Sequence, residues 1–200
     1  MLIIPTTGLK KDYREAEDWT RRLQETSRWI QVDVGDGVFK EGKTFELELL
    51  RKFDFNTDNL LWDIHLMVKE PINWVEKCKK VGATRIIGQV EIMRDREEFL
   101  EKVKKETPEA GLAFDIETPI DKITGDWDII LLMARPAGFG YFPFDTRVLD
   151  KIKKVKDQGY VVGIDGGADL ENIEKIEEAG ADIVYSEVNY WKLIDATKNK

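Results

Sequence analysis

Cysteine and histidine are each present only once in this chain of 200 residues, as Cys78 and His65. A single cysteine cannot form a disulfide within the chain, so a disulfide-stabilised scaffold is excluded. A single histidine cannot build a histidine-rich zinc site. Cys78 lies among lysines in a predicted helix, where we expect an unreactive helix residue rather than a nucleophile.

Long apolar runs and an excess of positive charge are also missing. The longest apolar runs, such as residues 129–134, are far shorter than the roughly 20 residues that a membrane helix needs. The 31 basic and 39 acidic residues give a net charge of −8, which disfavours nucleic acid or a membrane surface as the main partner. The first residues contain no basic segment followed by a long apolar run, so we expect a cytoplasmic protein.

Hydrophobic residues make up 42% of the chain and charged residues 35%. This balance excludes a disordered chain, which could not bury enough apolar surface to offset the entropy lost on folding. No linker or break in composition divides the sequence, and a single core rarely extends beyond about 250–300 residues. We therefore predict one domain over residues 1–200.

Short apolar segments alternate with amphipathic, charged segments along the chain. The apolar segments are predicted strands at residues 2–5, 29–34, 62–67, 84–89, 111–115, 128–133, 160–165 and 182–186. The segments between them include predicted helices at residues 12–26, 71–81, 95–106, 146–157 and 170–179. Gly82 and Gly180 each stand between a predicted helix and the next strand, a position typical of a left-handed helix cap.

Eight strand–helix units in one domain predict an α/β fold, a closed parallel (β/α)8 TIM barrel. The alternative is an open, doubly wound sheet. Such a sheet normally carries a glycine-rich phosphate-binding turn after its first strand, and residues 5–8 (PTTG) do not form one. The sequence therefore favours the barrel.

In such a barrel, functional side chains lie at the carboxyl ends of the strands. Asp33, His65 and Asp165 end the second, third and seventh predicted strands. Polar residues also end the fourth and fifth: Gln89, Glu91 and Asp115. Because side chains alternate along a strand, the polar residues are expected to face the barrel axis and the apolar residues between them the helices.

Asp33 and Asp165 come from different sides of the ring, so they can approach one carbon from opposite faces. Inversion of a carbon requires one group to remove a proton and another to return it to the far face. A divalent metal ion on His65 and both aspartates, with the amide oxygen of Gln31 as a further ligand, would stabilise the enediolate. Each residue alone could be a turn or core residue, but their combination predicts a site.

The segments that surround these residues resemble the ribulose-phosphate 3-epimerase family over nearly the whole chain. The matching segments, in family order, are WIQVDVGDGVF (29–39), DIHLMV (63–68), GLAF (111–114), LM with GFG (132–133, 138–140) and GIDGGA (163–168). The resemblance implies a metal-dependent barrel of the ribulose-phosphate binding type that acts in the pentose phosphate pathway. It also implies a small-molecule sugar or sugar-phosphate substrate and a homo-oligomer.

The resemblance further implies roles for individual residues. Asp33 and Asp165 match the two acid/base aspartates that also bind the metal, and His65 matches a metal histidine. The positions that match substrate contacts are Thr6, Met67, Met133, Gly138, Gly140, Gly166 and Gly167. The metal could be Zn, Mn, Fe, Co or Mg. Gln31 stands where the family has a second metal histidine, so we expect weaker binding and a shift toward Mg²⁺ or Mn²⁺.

The end of the site that holds phosphate in the family is altered. Ser186, Glu187 and Val188 stand where the family has a small residue followed by Gly-Ser, and Tyr141 follows the glycine loop where a small or donor-bearing residue is expected. A carboxylate at residue 187 would repel phosphate, and we expect it to pair with Arg135. The leading prediction is therefore an epimerase-like isomerase acting on an altered or unphosphorylated sugar. The alternative is a catalytically inactive homologue that serves as a sugar-binding or scaffold protein.

Overall fold

Eight parallel strands form the sheet in this computed structural model, which describes residues 1–140 and 142–198. The strands are β1 (Leu2–Pro5), β2 (Trp29–Gly35), β3 (Leu61–Met67), β4 (Ala83–Gln89), β5 (Glu109–Phe114), β6 (Ile129–Met133), β7 (Val162–Asp165) and β8 (Ile183–Ser186). Each strand pairs with its neighbours in the ring, and β1 pairs with β8. A bridge between Thr6 and Gln31 brings β1 against β2 and closes the ring. The predicted (β/α)8 barrel is confirmed.

Six α-helices cover the outside of the barrel in the described residues. They are α1 (Tyr13–Leu23), α2 (Val75–Lys80), α3 (Arg96–Glu106), α4 (Val148–Lys156), α5 (Ile173–Glu178) and α6 (Tyr190–Lys198). The carboxylates of Asp12 and Asp95 accept hydrogen bonds from the first backbone N–H groups of α1 and α3, which fixes where these helices begin. Gly82 and Gly180 have positive φ angles, +79° and +102°, and the predicted left-handed caps are confirmed.

The expectation of eight strand–helix units is wrong for two connections. Between β2 and β3 only a 3₁₀ helix forms (Leu47–Lys52), and between β5 and β6 the chain forms no helix. Pro119 and Gly125 lie in the second connection and disfavour a helix there. Proline has no backbone N–H to donate to a helical hydrogen bond, and glycine has a low helix propensity. The helix α6, by contrast, was not among the predicted helices.

The core has two layers that follow the alternation of the strands. Val32, Val34, Ile64 and Leu66 pack between the sheet and the helices. A second cluster fills the inside of the barrel: Ile4, Met67, Ile87, Ala113, Ile129, Leu131, Met133, Ala137, Ile183 and Tyr185. The expected division into outward apolar and inward polar residues therefore holds for β2 and β3.

The lone thiol lies in the outer layer. Cys78 is fully buried, and burial raises the pKa of its thiol to about 12. A thiol with so high a pKa is almost entirely protonated at neutral pH and reacts slowly. Within residues 1–140 and 142–198, no helix has both the length and the apolar character for crossing a bilayer.

A charged cluster lies inside the barrel, one layer below the strand ends. Arg85 Nη1 donates to Asp63 Oδ2 at 2.9 Å and to Tyr185 Oη at 3.0 Å, and Tyr185 Oη donates to the same carboxylate oxygen at 2.6 Å. Arg85 Nε also donates to Glu109 at 2.7 Å, and its guanidinium lies 4.5 Å from the centre of the Trp29 ring. Asp63 is fully buried, so its charge depends on these partners.

Candidate active site

Asp33, His65 and Asp165 meet where β2, β3 and β7 end. The parallel register places Asp33 directly beside His65. His65 Nδ1 lies 3.1 Å from Asp33 Oδ1 and 3.8 Å from Asp165 Oδ2. One possible ligand atom from each of the three residues lies within 4.8 Å of the others. The structure thus brings together the three side chains that the sequence singled out, although their roles stay predictions.

A cavity of about 500 Å³ opens above these side chains. Asp33, Asp165, Met67 and Met133 line its base, where the strands end. The end of β8 and residues of the loops line its rim: Gly138, Gly140, Gly166, Gly167, Ser186 and Glu187. A sugar-sized molecule that enters the cavity can therefore reach both aspartates and contact two methionines.

Thr6 holds Asp33 in place. Its hydroxyl donates to Asp33 Oδ2 at 3.1 Å and accepts a hydrogen bond from the Gly8 backbone N–H at 2.7 Å. Thr6 is buried, so this arrangement is protected from water. The second oxygen of Asp33 is then left for His65 and for a ligand.

The carboxylate of Asp165 is difficult to ionise in the metal-free protein. Burial raises its pKa to about 7, and the negative charge of Asp33 acts in the same direction. His65 and Arg135 oppose the shift in part. Burial lowers the pKa of His65, but the hydrogen bond to Asp33 and the charges of Asp33 and Asp165 outweigh it, so the net shift is upward.

These residues fit a divalent metal ion. Two carboxylates and an imidazole are the donor types that Zn²⁺, Mn²⁺, Fe²⁺ and Co²⁺ accept. A cation between Asp33 and Asp165 would also oppose the burial and the repulsion by Asp33 that raise the pKa of Asp165. Gln31 is fully buried two residues before Asp33, and neither its Oε1 nor its Nε2 has a hydrogen-bond partner among the described residues. Its amide oxygen is thus available for a ligand or for a buried water.

Replacement of Asp165 should change how the stability of the metal-free protein depends on pH. The pKa of this group is raised from 3.8 to about 7 by folding, so its contribution to stability is full below pH 3.8 and is lost as the pH rises through 7. The free energy of unfolding of Asp165→Asn, relative to that of wild type, should therefore rise by on the order of 2 kcal/mol as the pH increases from about 5 to 8. Urea unfolding of both proteins in EDTA measures this difference. A difference that is constant with pH would contradict the raised pKa.

The expected pairing of Arg135 with Glu187 is not found. Glu187 Oε1 instead accepts a hydrogen bond from Lys10 Nζ at 2.5 Å. Gly8 leaves room for the Glu187 carboxylate, which a Cβ at this position would overlap. Arg135 packs against Gly166 in the lining of the same cavity. Sequence reasoning missed Lys10, although a lysine pair directly after the first strand's loop was a visible signal.

Two of the other strand-end residues connect loops. Glu91 Oε1 accepts hydrogen bonds from the Asp115 backbone N–H at 2.8 Å and from the Thr118 hydroxyl at 2.6 Å. Asp115 Oδ2 accepts one from the Ala137 N–H at 3.1 Å. Their polarity is therefore used to shape the loops after β4, β5 and β6. Tyr141, which was predicted to lie at the altered phosphate position, is outside the described residues.

Comparison with known proteins gives consistent results. Residues 6–188 match the model of the ribulose-phosphate 3 epimerase family. Ribulose-phosphate 3-epimerase of Chlamydia muridarum is 33% identical over 187 residues, which cover 88% of this chain and 82% of that protein. The enzyme of the same name from Escherichia coli K12 is 29% identical, with 100% and 95% covered. Phosphoribosyl anthranilate isomerase from Thermus thermophilus superposes with a TM-score of 0.64 at 12% identity over 94% of this chain and 87% of its own, which concerns the fold alone.

Proposed function

We propose, since this chain belongs to the ribulose-phosphate 3-epimerase family, that it inverts the carbon next to the carbonyl of a ketose by proton transfer between Asp33 and Asp165. The observation that carries this proposal is that both carboxylates lie at the base of one cavity and meet the buried His65 there. The substrate is then a small sugar or sugar phosphate. A cytoplasmic location and assembly into a homo-oligomer belong to the same proposal.

In the proposed reaction, one aspartate removes the proton from the carbon that bears the hydroxyl. The other aspartate, which is protonated, delivers a proton to the opposite face and so inverts the centre. Reversal of the reaction exchanges the two roles. Thr6 keeps Asp33 oriented through its hydrogen bond, and Met67 and Met133 keep water away from the planar intermediate.

A divalent ion bound by Asp33, His65 and Asp165 would supply positive charge to the oxygens of the enediolate. Gln31 is proposed as a further ligand because its buried amide has no other partner among the described residues. Amide oxygen is a weaker donor than imidazole for late transition metals. Compared with the same site carrying a histidine at position 31, this site should therefore bind Mn²⁺ or Mg²⁺ more favourably relative to Zn²⁺.

Exchange of a substrate proton with D₂O tests the proposal directly. The protein would be incubated with D-ribulose 5-phosphate or D-ribulose and with Mn²⁺, Co²⁺, Zn²⁺, Fe²⁺ or Mg²⁺ in turn. We expect one deuterium at the carbon next to the carbonyl, and exchange should return to background after EDTA removes the metal. Metal binding without exchange of either sugar would favour the inactive sugar-binding homologue instead.

A further inference from the structure

Four charged side chains line the cavity outside its base: Lys10, Arg135, Asp169 and Glu187. Lys10 and Glu187 are joined by the 2.5 Å contact, and their side chains are only 22% and 33% exposed. Partial burial strengthens an ion pair relative to one in open solvent. Lys10 and Glu187 therefore present a paired ammonium and carboxylate, and Arg135 is a separate cation of the lining, beside Gly166.

The glycine at position 8 makes room for the Glu187 carboxylate. Gly8 has a φ of +61°, and any side chain there would occupy the space of this carboxylate. The Gly8 N–H donates a hydrogen bond to the Thr6 hydroxyl, which in turn donates one to the Asp33 carboxylate. The loop after β1 thus positions Glu187 and one candidate catalytic aspartate at the same time.

This arrangement discriminates between ligands by charge. A phosphate beside Lys10 would meet the Glu187 carboxylate, and close like charges are strongly unfavourable in a partly buried site. It could use Lys10 only by displacing the carboxylate from it. A hydroxyl group, by contrast, donates to Glu187 and accepts from Lys10, so a neutral polyhydroxy chain satisfies both members of the pair.

We propose that the Lys10–Glu187 pair determines substrate specificity and selects an unphosphorylated ketose over its terminal phosphate ester. This proposal rests on the proposed function for the reaction that follows binding. Binding itself does not depend on turnover, so the two can be tested apart. The pair recognises the hydroxyl-bearing tail of the sugar, while Asp33, His65 and Asp165 act at its carbonyl end.

Titration calorimetry of the Mn²⁺-loaded protein with D-ribulose and with D-ribulose 5-phosphate measures the selectivity. Wild type should bind D-ribulose at least about tenfold more tightly than the phosphate ester. Glu187→Gln, which keeps the side-chain size, and Glu187→Ser, which clears the rim, should each improve binding of the ester by at least about tenfold and weaken binding of D-ribulose. Glu178→Ser, at the exposed end of α5, is the matched control and should change neither affinity.

The two proposals fail in different ways. Tighter binding of the ester by wild type, with no gain in either Glu187 variant, would overturn the specificity proposal, and D₂O exchange of the ester would then still support epimerisation. Failure of D-ribulose to bind to wild type would also overturn it. A third outcome is that wild type binds D-ribulose selectively, both Glu187 variants reverse this selectivity, and no proton exchange occurs with any of the metals. This outcome would support the specificity proposal and overturn the proposed reaction.

Discussion

Asn in place of Asp33 or of Asp165 is expected to lower the rate of epimerisation by about 10²–10⁴-fold, the usual contribution of a positioned acid or base. Each variant keeps the size of the side chain but removes the group that accepts the proton. Because the proposed reaction uses the two carboxylates on opposite faces of the carbon, loss of either one should impair inversion of both epimers.

Proton exchange should separate the two faces. With Asp165→Asn, only the epimer whose proton points toward Asp33 should still exchange with D₂O, and Asp33→Asn should show the opposite preference. The measurement is proton NMR of each epimer separately, with metal content determined for every sample because both residues are proposed ligands. Asp126→Asn, at a fully exposed aspartate, is the control. Equal loss of exchange from both epimers in metal-loaded variants would argue against two separate bases.

Arg85→Met is expected to destabilise the protein by roughly 3–5 kcal/mol, the cost typical of leaving a buried charge without its partner. Burial raises the pKa of Asp63 even with Arg85 present, although Arg85 and Tyr185 both oppose the shift. Removal of the guanidinium leaves Tyr185 as the one remaining hydrogen-bond donor to Asp63 among the described residues. The fully buried carboxylate must then take up a proton or unfold the barrel.

A double variant distinguishes loss of the charge pair from loss of packing. Asp63→Leu combined with Arg85→Met should recover most of the stability, because a buried ion pair can often be replaced by apolar residues. Urea unfolding at neutral pH compares both with Arg51→Met, at an exposed arginine of the 3₁₀ helix. An effect of Arg85→Met no larger than that of Arg51→Met would show that Asp63 needs no cationic partner.

Much of the barrel and the base of its site could be predicted from the sequence. The alternation of apolar and charged segments is periodic and local, so it locates the strands within one or two residues. Once the strands are parallel, their carboxyl ends must meet, and Asp33, His65 and Asp165 follow from that geometry. Neither step needs knowledge of any loop conformation.

The remaining features depend on contacts that no local pattern encodes. Asp63, Arg85 and Tyr185 lie on three strands, and their hydrogen bonds depend on the register and on the orientation of each side chain inside the barrel. The position of the Glu187 carboxylate depends on the absence of a side chain at Gly8, in the loop after β1. Arg135 was the natural sequence-based choice because it ends a strand, whereas Lys10 lies within a loop whose path was unknown.

The burial of Cys78 has a practical consequence for experiments on this chain. Its thiol is the only one in the sequence, and its pKa of about 12 makes it nearly inert to maleimides at neutral pH. A cysteine introduced at Val188, which is 66% exposed and lines the rim beside Glu187, would therefore be labelled selectively without removal of the native one. A fluorophore at that position would report sugar binding in real time, even for ligands that are never turned over.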